Sequence, residues 1–264
     1  MPSLEFQERN VWFSDDGDGP PLLLIAGLSG RQSFWDALKP RLTPRFRVVS
    51  FDHPGCGESE APRNDLSISD FAALVSALLD HLEIDNALVV GHSMGGTIAQ
   101  TLALDHSSRV SSLVLSSTWA KKDPYFERAF ALRCEIIKGL GKEPYARAQC
   151  LAMLPPAFIA ERPEEVDSFE RAFVAGAAPD HIILARIRAL LAFDRTGDLG
   201  RIACSALAIC CQDDLVVPPH MSRDLAARIP GSTTNELSYG GHFAPLTTAN
   251  TYGDAVLPFL TKQT

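Results

Sequence analysis

Long apolar runs are missing from this chain. The longest, residues 22–26 and 207–211, are strand-sized and fall far short of the roughly 20 residues that a helix needs to span a bilayer. The first ten residues carry Glu5, Glu8 and Arg9 and no apolar stretch of the kind a secretory signal requires. A cytoplasmic protein without membrane contact is the expectation. Basic residues are short too: 24 Lys and Arg stand against 32 Asp and Glu, a formal charge of −8. Duplex affinity comes chiefly from cations neutralising phosphates, so nucleic acid is not an expected partner. No G-x-x-x-x-G-K-[ST] loop and no G-x-G-x-x-G after a strand is present, which leaves nucleotide binding unsupported. The six cysteines, at 56, 134, 150, 204, 210 and 211, show no regular framework, so neither structural disulfides nor a metal site is expected. Cys210 and Cys211 are adjacent, and in a strand they would point to opposite faces.

What is present is a mixed composition, 46% hydrophobic and 21% charged over 264 residues, enough to bury a core without staples. Short apolar runs alternate with helical periodicity. Residues 22–26 read as a strand, followed by Gly27-Leu28-Ser29-Gly30 and then by Phe34, Trp35, Leu38 and Leu42 at helical spacing. Residues 47–51 read as a strand leading into the turn-rich loop 52–59. Phe71, Leu74, Val75, Leu78, Leu79 and Leu82 share one helix face, with Ser69 as a candidate N-cap. Strands follow at 87–91 and 110–115 around an almost wholly apolar helix at 95–104. Strands apolar on both faces and separated by helices imply a mostly parallel, doubly wound α/β sheet covered on both sides.

The texture changes at 119–198, where helical patterns broken by Pro144, Pro155, Pro156, Pro163 and Pro179 replace strands. The sheet pattern resumes at 205–211 and 233–237, with helices near 221–229 and 249–260. The expected plan is one α/β core, residues 1–118 and 199–264, interrupted by a helical cap, residues 119–198. Neither a repeat nor a coiled-coil pattern is present, so monomer and homodimer both stay open.

Gly91-His92-Ser93-Met94-Gly95 lies between a strand and a helix and matches G-x-S-x-G in the context which that motif demands. A serine at such a turn projects its hydroxyl at the carboxyl end of the sheet, while the flanking glycines give its backbone room. A serine hydroxyl is a weak nucleophile and needs a base and a group to orient that base. Of seven histidines only His242 sits in a Gly-Gly-His loop just after the last strand, and it is the candidate base. His53 and His220 read as loop residues beside prolines, His81 and His106 as residues near helix ends, and His92 as pointing away from Ser93. The loop after strand 205–211 supplies two candidate acids, Asp213 and Asp214.

With these residues in view the chain resembles the α/β-hydrolase superfamily over nearly its whole length. The resemblance rests on Ala26-Gly27-Leu28, Asp52-His53-Pro54-Gly55-Cys56-Gly57-Glu58-Ser59, Gly91-His92-Ser93-Met94-Gly95, and Asp214 to Pro218 followed by Gly241-His242. It implies a triad Ser93, Asp214, His242, with Asp213 the alternative acid, and an oxyanion hole formed by the backbone N–H groups of Leu28 and Met94. Ala26 stands where many members carry His, which puts the rigidity of that loop in question. Residues 209–218 and 238–242, with the stretch 132–163, are similar to the aminoacrylate or carbamate hydrolases of pyrimidine breakdown. Some of those carry another residue at the nucleophile position; this chain keeps Ser93.

The resemblance implies acyl transfer to water with no metal or organic cofactor. The substrate is expected to be a small ester, enol-lactone, amide or carbamate bearing a carboxylate. Trp119, Phe126, Phe130 and Met153 are candidate lining residues, and Lys121, Lys122, Arg128, Arg133, Arg186 and Arg188 are candidate cations, with Arg186 carried into the candidate substrate site. Carbon–carbon bond hydrolysis, cofactor-free perhydrolysis and a hydrolase-like ligand-binding protein are the alternatives, because fold alone does not separate them.

Overall fold

The computed structural model describes residues 2–28 and 30–263. Eight strands form one sheet in the order β1-β2-β4-β3-β5-β6-β7-β8. β3 (Pro21–Ile25), β4 (Arg47–Phe51), β5 (Ala87–His92), β6 (Val110–Ser116), β7 (Ser205–Cys211) and β8 (Thr233–Leu237) run parallel to one another. β1 (Ser3–Phe6) and β2 (Arg9–Asp16) form an antiparallel pair, and β2 runs antiparallel to β4. The sequence reading missed these two strands: β2 is buried only at Val11 and Phe13, with the residues between and around them half or fully exposed, so it carries no apolar run.

The central strands feed two cores. Leu23, Ile25, Val89, Leu113 and Leu115 point into the larger, while Leu22, Leu24, Leu88, Val90 and Val114 point into the other. This period of two with both faces apolar is what a sheet covered by helices on each side requires. On one side lie α2 (Ile68–His81), α3 (Met94–Asp105) and α9 (Pro219–Arg228). On the other, Trp35, Leu38 and Leu42 meet Tyr252, Val256 and Leu260 of α11 (Ala249–Thr261).

The pattern at residues 34–42 does not make one helix. A 3₁₀ turn at Gln32–Trp35 and the four-residue α1 (Lys39–Leu42) replace it. Pro40 lies inside that spacing, where an interior position would lose a helix bond but a position in the first turn loses none. The cap of α2 is Ser67, not Ser69: its side chain accepts from Asp70 N at 3.2 Å while Asp70 answers the Ser67 N–H at 2.8 Å, a capping box.

Between β6 and β7 the chain forms α4 (Pro124–Leu140), α5 (Lys142–Met153), α6 (Pro156–Glu161), α7 (Pro163–Gly176) and α8 (Asp180–Ala192). Prolines open α4, α6 and α7, where the missing N–H costs nothing. The short α10 (Ala244–Thr247) completes the fold after β8. All six cysteines are free thiols, and no described helix is long and apolar enough to cross a membrane.

Two glycines test this packing with opposite signs. A β-carbon on Gly91 would stand 2.7 Å from the Gly95 carbonyl carbon and 2.8 Å from Gly96 Cα, whereas one on Gly139, near the end of α4, would meet nothing within 4 Å. Thermal unfolding should show Gly91→Ala losing stability, because backbone must move. Gly139→Ala should gain up to about 1 kcal/mol from helix propensity.

Candidate active site

β5 ends at His92, and Ser93 follows with φ 54° and ψ −120° before α3 begins. A residue with a β-carbon is uncommon there and needs its surroundings to hold it. Ser93 N–H donates to Ser116 O at 2.8 Å, and the Ser93 carbonyl accepts from Thr118 Oγ1 at 2.8 Å and Gly96 N at 2.9 Å. The turn also needs a close approach: a β-carbon on Gly95 would stand 2.6 Å from the Ala26 carbonyl oxygen.

Asp214 and His242 arrive from the ends of β7 and β8. After β7 the Asp214 carboxylate accepts from Val216 N at 2.8 Å and Val217 N at 2.9 Å through one oxygen, and its other oxygen lies 2.8 Å from His242 Nδ1. Both side chains are buried. That bond fixes the imidazole so that Nε2 is the nitrogen left for other chemistry. Asp213 does something else. Its carboxylate accepts from Gly241 N at 2.9 Å and Gly240 N at 3.2 Å, so it shapes the loop that carries His242. From the other side, His242 N–H donates to Met153 O at 2.9 Å and Phe243 N–H to the same oxygen at 3.3 Å.

Ser93 and His242 line one cavity of about 320 Å³ together with Gly27, Leu28, Phe130, Arg133, Tyr145, Gln149, Met153 and Arg186. Its volume suits a small molecule. Met94 opens α3, so its N–H has no acceptor within the helix, and a β-carbon on Gly27 would stand 3.2 Å from Ser93 Cβ. The loop containing Leu28 thus passes against the serine. Ser29 of this loop lies outside the described residues.

Bracing replaces the missing histidine at Ala26. Arg186, buried on α8, donates to Leu28 O at 3.1 Å, to Cys56 Sγ at 3.0 Å and to Pro54 O at 2.5 Å. Asp52 accepts from Gln32 N at 2.8 Å, and His53 N–H donates to Gly30 O at 2.6 Å. Arg186 therefore lines the cavity as the sequence reading expected, but three of its donors hold loops together.

Several other readings change. Trp119 and Phe126 do not line the cavity: both are fully buried and stack behind Phe130, at centroid distances of 4.5 and 4.4 Å along the series. Phe130 and Met153 do line it. Lys122 pairs with Glu127, Arg188 with Asp65, and Arg128 donates to Pro124 O, all at the exposed surface, where Lys121 also lies. His92 does not point away from the site. Its ring stacks on Phe34 and lies 4.8 Å from the His242 ring, with Nδ1 3.2 Å from Ser116 Oγ. Its adjacency to Ser93 concealed this, because alternation along a strand says which face a residue takes and nothing about what a later loop brings there.

His53 is the loop residue beside Pro54 that the sequence reading expects, but a solvent-free one. It is fully buried against Phe51 and Phe71, and among the described residues neither ring nitrogen has a hydrogen-bond partner. Sequence reasoning also missed Gln149 and Tyr145, which carry no motif. Among the described residues no group of three or more His, Cys, Asp or Glu could hold a metal.

Burial holds both His53 and His92 well below the ordinary imidazole value of 6.5, helped by the nearby charges of Arg186 and His242 respectively. The folded chain therefore binds fewer protons than the unfolded one just below pH 6.5. Their contribution to stability is whole above that value and is lost as the pH falls. Urea midpoints measured from pH 7 to pH 5 should decline, and His53→Leu, which removes one of the two groups, should flatten the slope.

Residues 20–249 match the family described as alpha/beta hydrolase fold. The chain is 35% identical over 241 residues to a Caulobacter segnis protein named as carbamate hydrolase RutD, covering 90% of each chain. A Serratia proteamaculans protein of the same name is 35% identical over 244 residues, 92% of this chain and 91% of that one. Among solved structures, the enol-lactonase from Burkholderia xenovorans superposes with a TM-score of 0.90 at 26% identity, covering 98% of this chain and 100% of that one.

Proposed function

This chain is a hydrolytic enzyme belonging to the alpha/beta hydrolase fold family, and from that premise we propose that it is a serine hydrolase using Ser93, His242 and Asp214. The observation that carries the proposal is the buried 2.8 Å bond between His242 Nδ1 and Asp214, in the cavity that also receives Ser93. In this reading Ser93 Oγ attacks a carbonyl carbon and its proton passes to His242 Nε2. Asp214 stabilises the imidazolium through Nδ1–H and stays ionised. The carbonyl oxygen, now negative, accepts from the N–H groups of Leu28 and Met94, a contribution of about 2.7–4 kcal/mol per donor in comparable sites. His242 returns the proton to the leaving group, and water repeats the sequence on the acyl-enzyme.

The substrate we assign is a small ester, enol-lactone, amide or carbamate carrying a carboxylate. The cavity volume, the cations on its wall and relatives named for carbamate and enol-lactone hydrolysis support this reading. Substrate and water are the only reactants. Six free thiols suit the reducing cytoplasm, where we place the enzyme.

Intact-mass analysis after treatment with a fluorophosphonate should show one adduct, located on Ser93 by peptide mapping and absent from Ser93→Ala. Asp214→Asn should lower kcat by roughly 10⁴-fold, as loss of the orienting acid does elsewhere. Asp213→Asn should cost far less, because it shapes the loop without touching the imidazole. The reverse ranking would reassign the acid, and an unlabelled Ser93 would overturn the triad.

A further inference from the structure

The helices above Ser93 contain a cation and an amide that find no hydrogen-bond partner among the described residues. Arg133 lies on α4, 6% exposed, with its guanidinium 4.5 Å from the centre of the Phe130 ring. Among the described residues it has neither a hydrogen bond nor an ion pair, although every candidate cation on the surface of this segment except Lys121 has found one. Gln149 lies on α5, 3% exposed, and both its Oε1 and its Nε2 are buried without a partner. Both side chains line the cavity that receives Ser93 and His242.

Such an arrangement is costly in the absence of ligand. A buried amide that makes none of its bonds and a buried guanidinium without a counter-charge each oppose folding. Burial lowers the Arg133 pKa, while the nearby Tyr145, Asp214 and Tyr125 raise it. The Asp214 effect places the cation within electrostatic reach of the proposed triad. Burial also pushes the Tyr145 phenol up to about 12, so Tyr145 is neutral and supplies Arg133 with no counter-charge.

Resting on the serine hydrolase reading, we propose that Arg133 and Gln149 form the recognition pole of the substrate site, taking a small carboxylate that carries an N–H or O–H donor beside it. The guanidinium fork accepts the carboxylate. Gln149 Nε2 donates to the carbonyl oxygen of the group beside it, and Oε1 accepts from that group's N–H, a demand that a bare carboxylate cannot meet. A carbamoyl or amide group next to the acid satisfies it. Arg186 differs in kind, because its donors already hold the carbonyls of Leu28 and Pro54.

Three ligands separate the two contacts: succinamate, which has both groups, succinate, which has only the anion, and succinamide, which has only amides. Calorimetric titration into Ser93→Ala, which blocks turnover, should show succinamate binding most tightly. Adding Arg133→Met should weaken succinamate and succinate by at least about tenfold, the weight of one charged hydrogen bond, and leave succinamide unchanged. Adding Gln149→Leu should weaken succinamate and succinamide and spare succinate. Arg133→Lys should restore part of the anion binding.

The Tm of Arg133→Met should hold or rise, since an unpaired buried charge has gone, whereas a structural role would lower it. Binding of none of the three ligands, or equal weakening of all three by either variant, overturns the proposal. Ser93 labelled by fluorophosphonate without these preferences removes the recognition pole alone. The preferences without labelling remove the serine hydrolase reading and leave the pole standing.

Discussion

A residue with a β-carbon resists positive φ by about 1–3 kcal/mol, and Ser93 is kept there because its neighbours leave the turn nowhere to relax. Its N–H is held by β6 and its carbonyl by Thr118. On the other side Gly95 lies against the carbonyl oxygens at the end of β3. The same close approach brings the Leu28 loop against the serine and starts α3 at Met94. The placement of Ser93 at the cavity and the nearness of the Leu28 loop and of the Met94 N–H are therefore one packing solution. Any change that lets the turn open degrades all of them together.

The two adjacent acids after β7 divide a task that neither could do alone. Asp214 turns inward to the imidazole, with its second oxygen occupied by two backbone N–H groups of its own loop. Asp213 takes the glycine N–H groups immediately before His242. One carboxylate sets the orientation of the ring and the other the position of the backbone that carries it. Because adjacent residues point in different directions, a pair of acids can hold a side chain and its loop at the same time.

The central parallel strands were legible because they are buried on both faces, and residues 47–51, 205–211 and the half-exposed 233–237 are bounded in the structure as the sequence reading bounds them. The serine turn was legible because strand, glycines and helix agree around it. The antiparallel strands β1 and β2 were not, since their half-exposed residues give no apolar run to stand out. Periodicity failed at residues 34–42, where apolar side chains reach one core from two short turns. In the helices between β6 and β7, residue type does not tell a side chain that faces the cavity from one packed behind it. Phe130 and Phe126 share a helix face, yet one lines the cavity and the other backs it.

One carbonyl oxygen, that of Met153 at the end of α5, holds the N–H groups of both His242 and Phe243. The roof of the cavity is thus tied to the backbone that presents the imidazole. A rigid swing of α5 away from the sheet would break both bonds and pull the His242 imidazole out of register with Asp214. The Met153 carbonyl therefore acts as a hinge pin: whatever displaces the end of α5 also displaces the loop that carries His242.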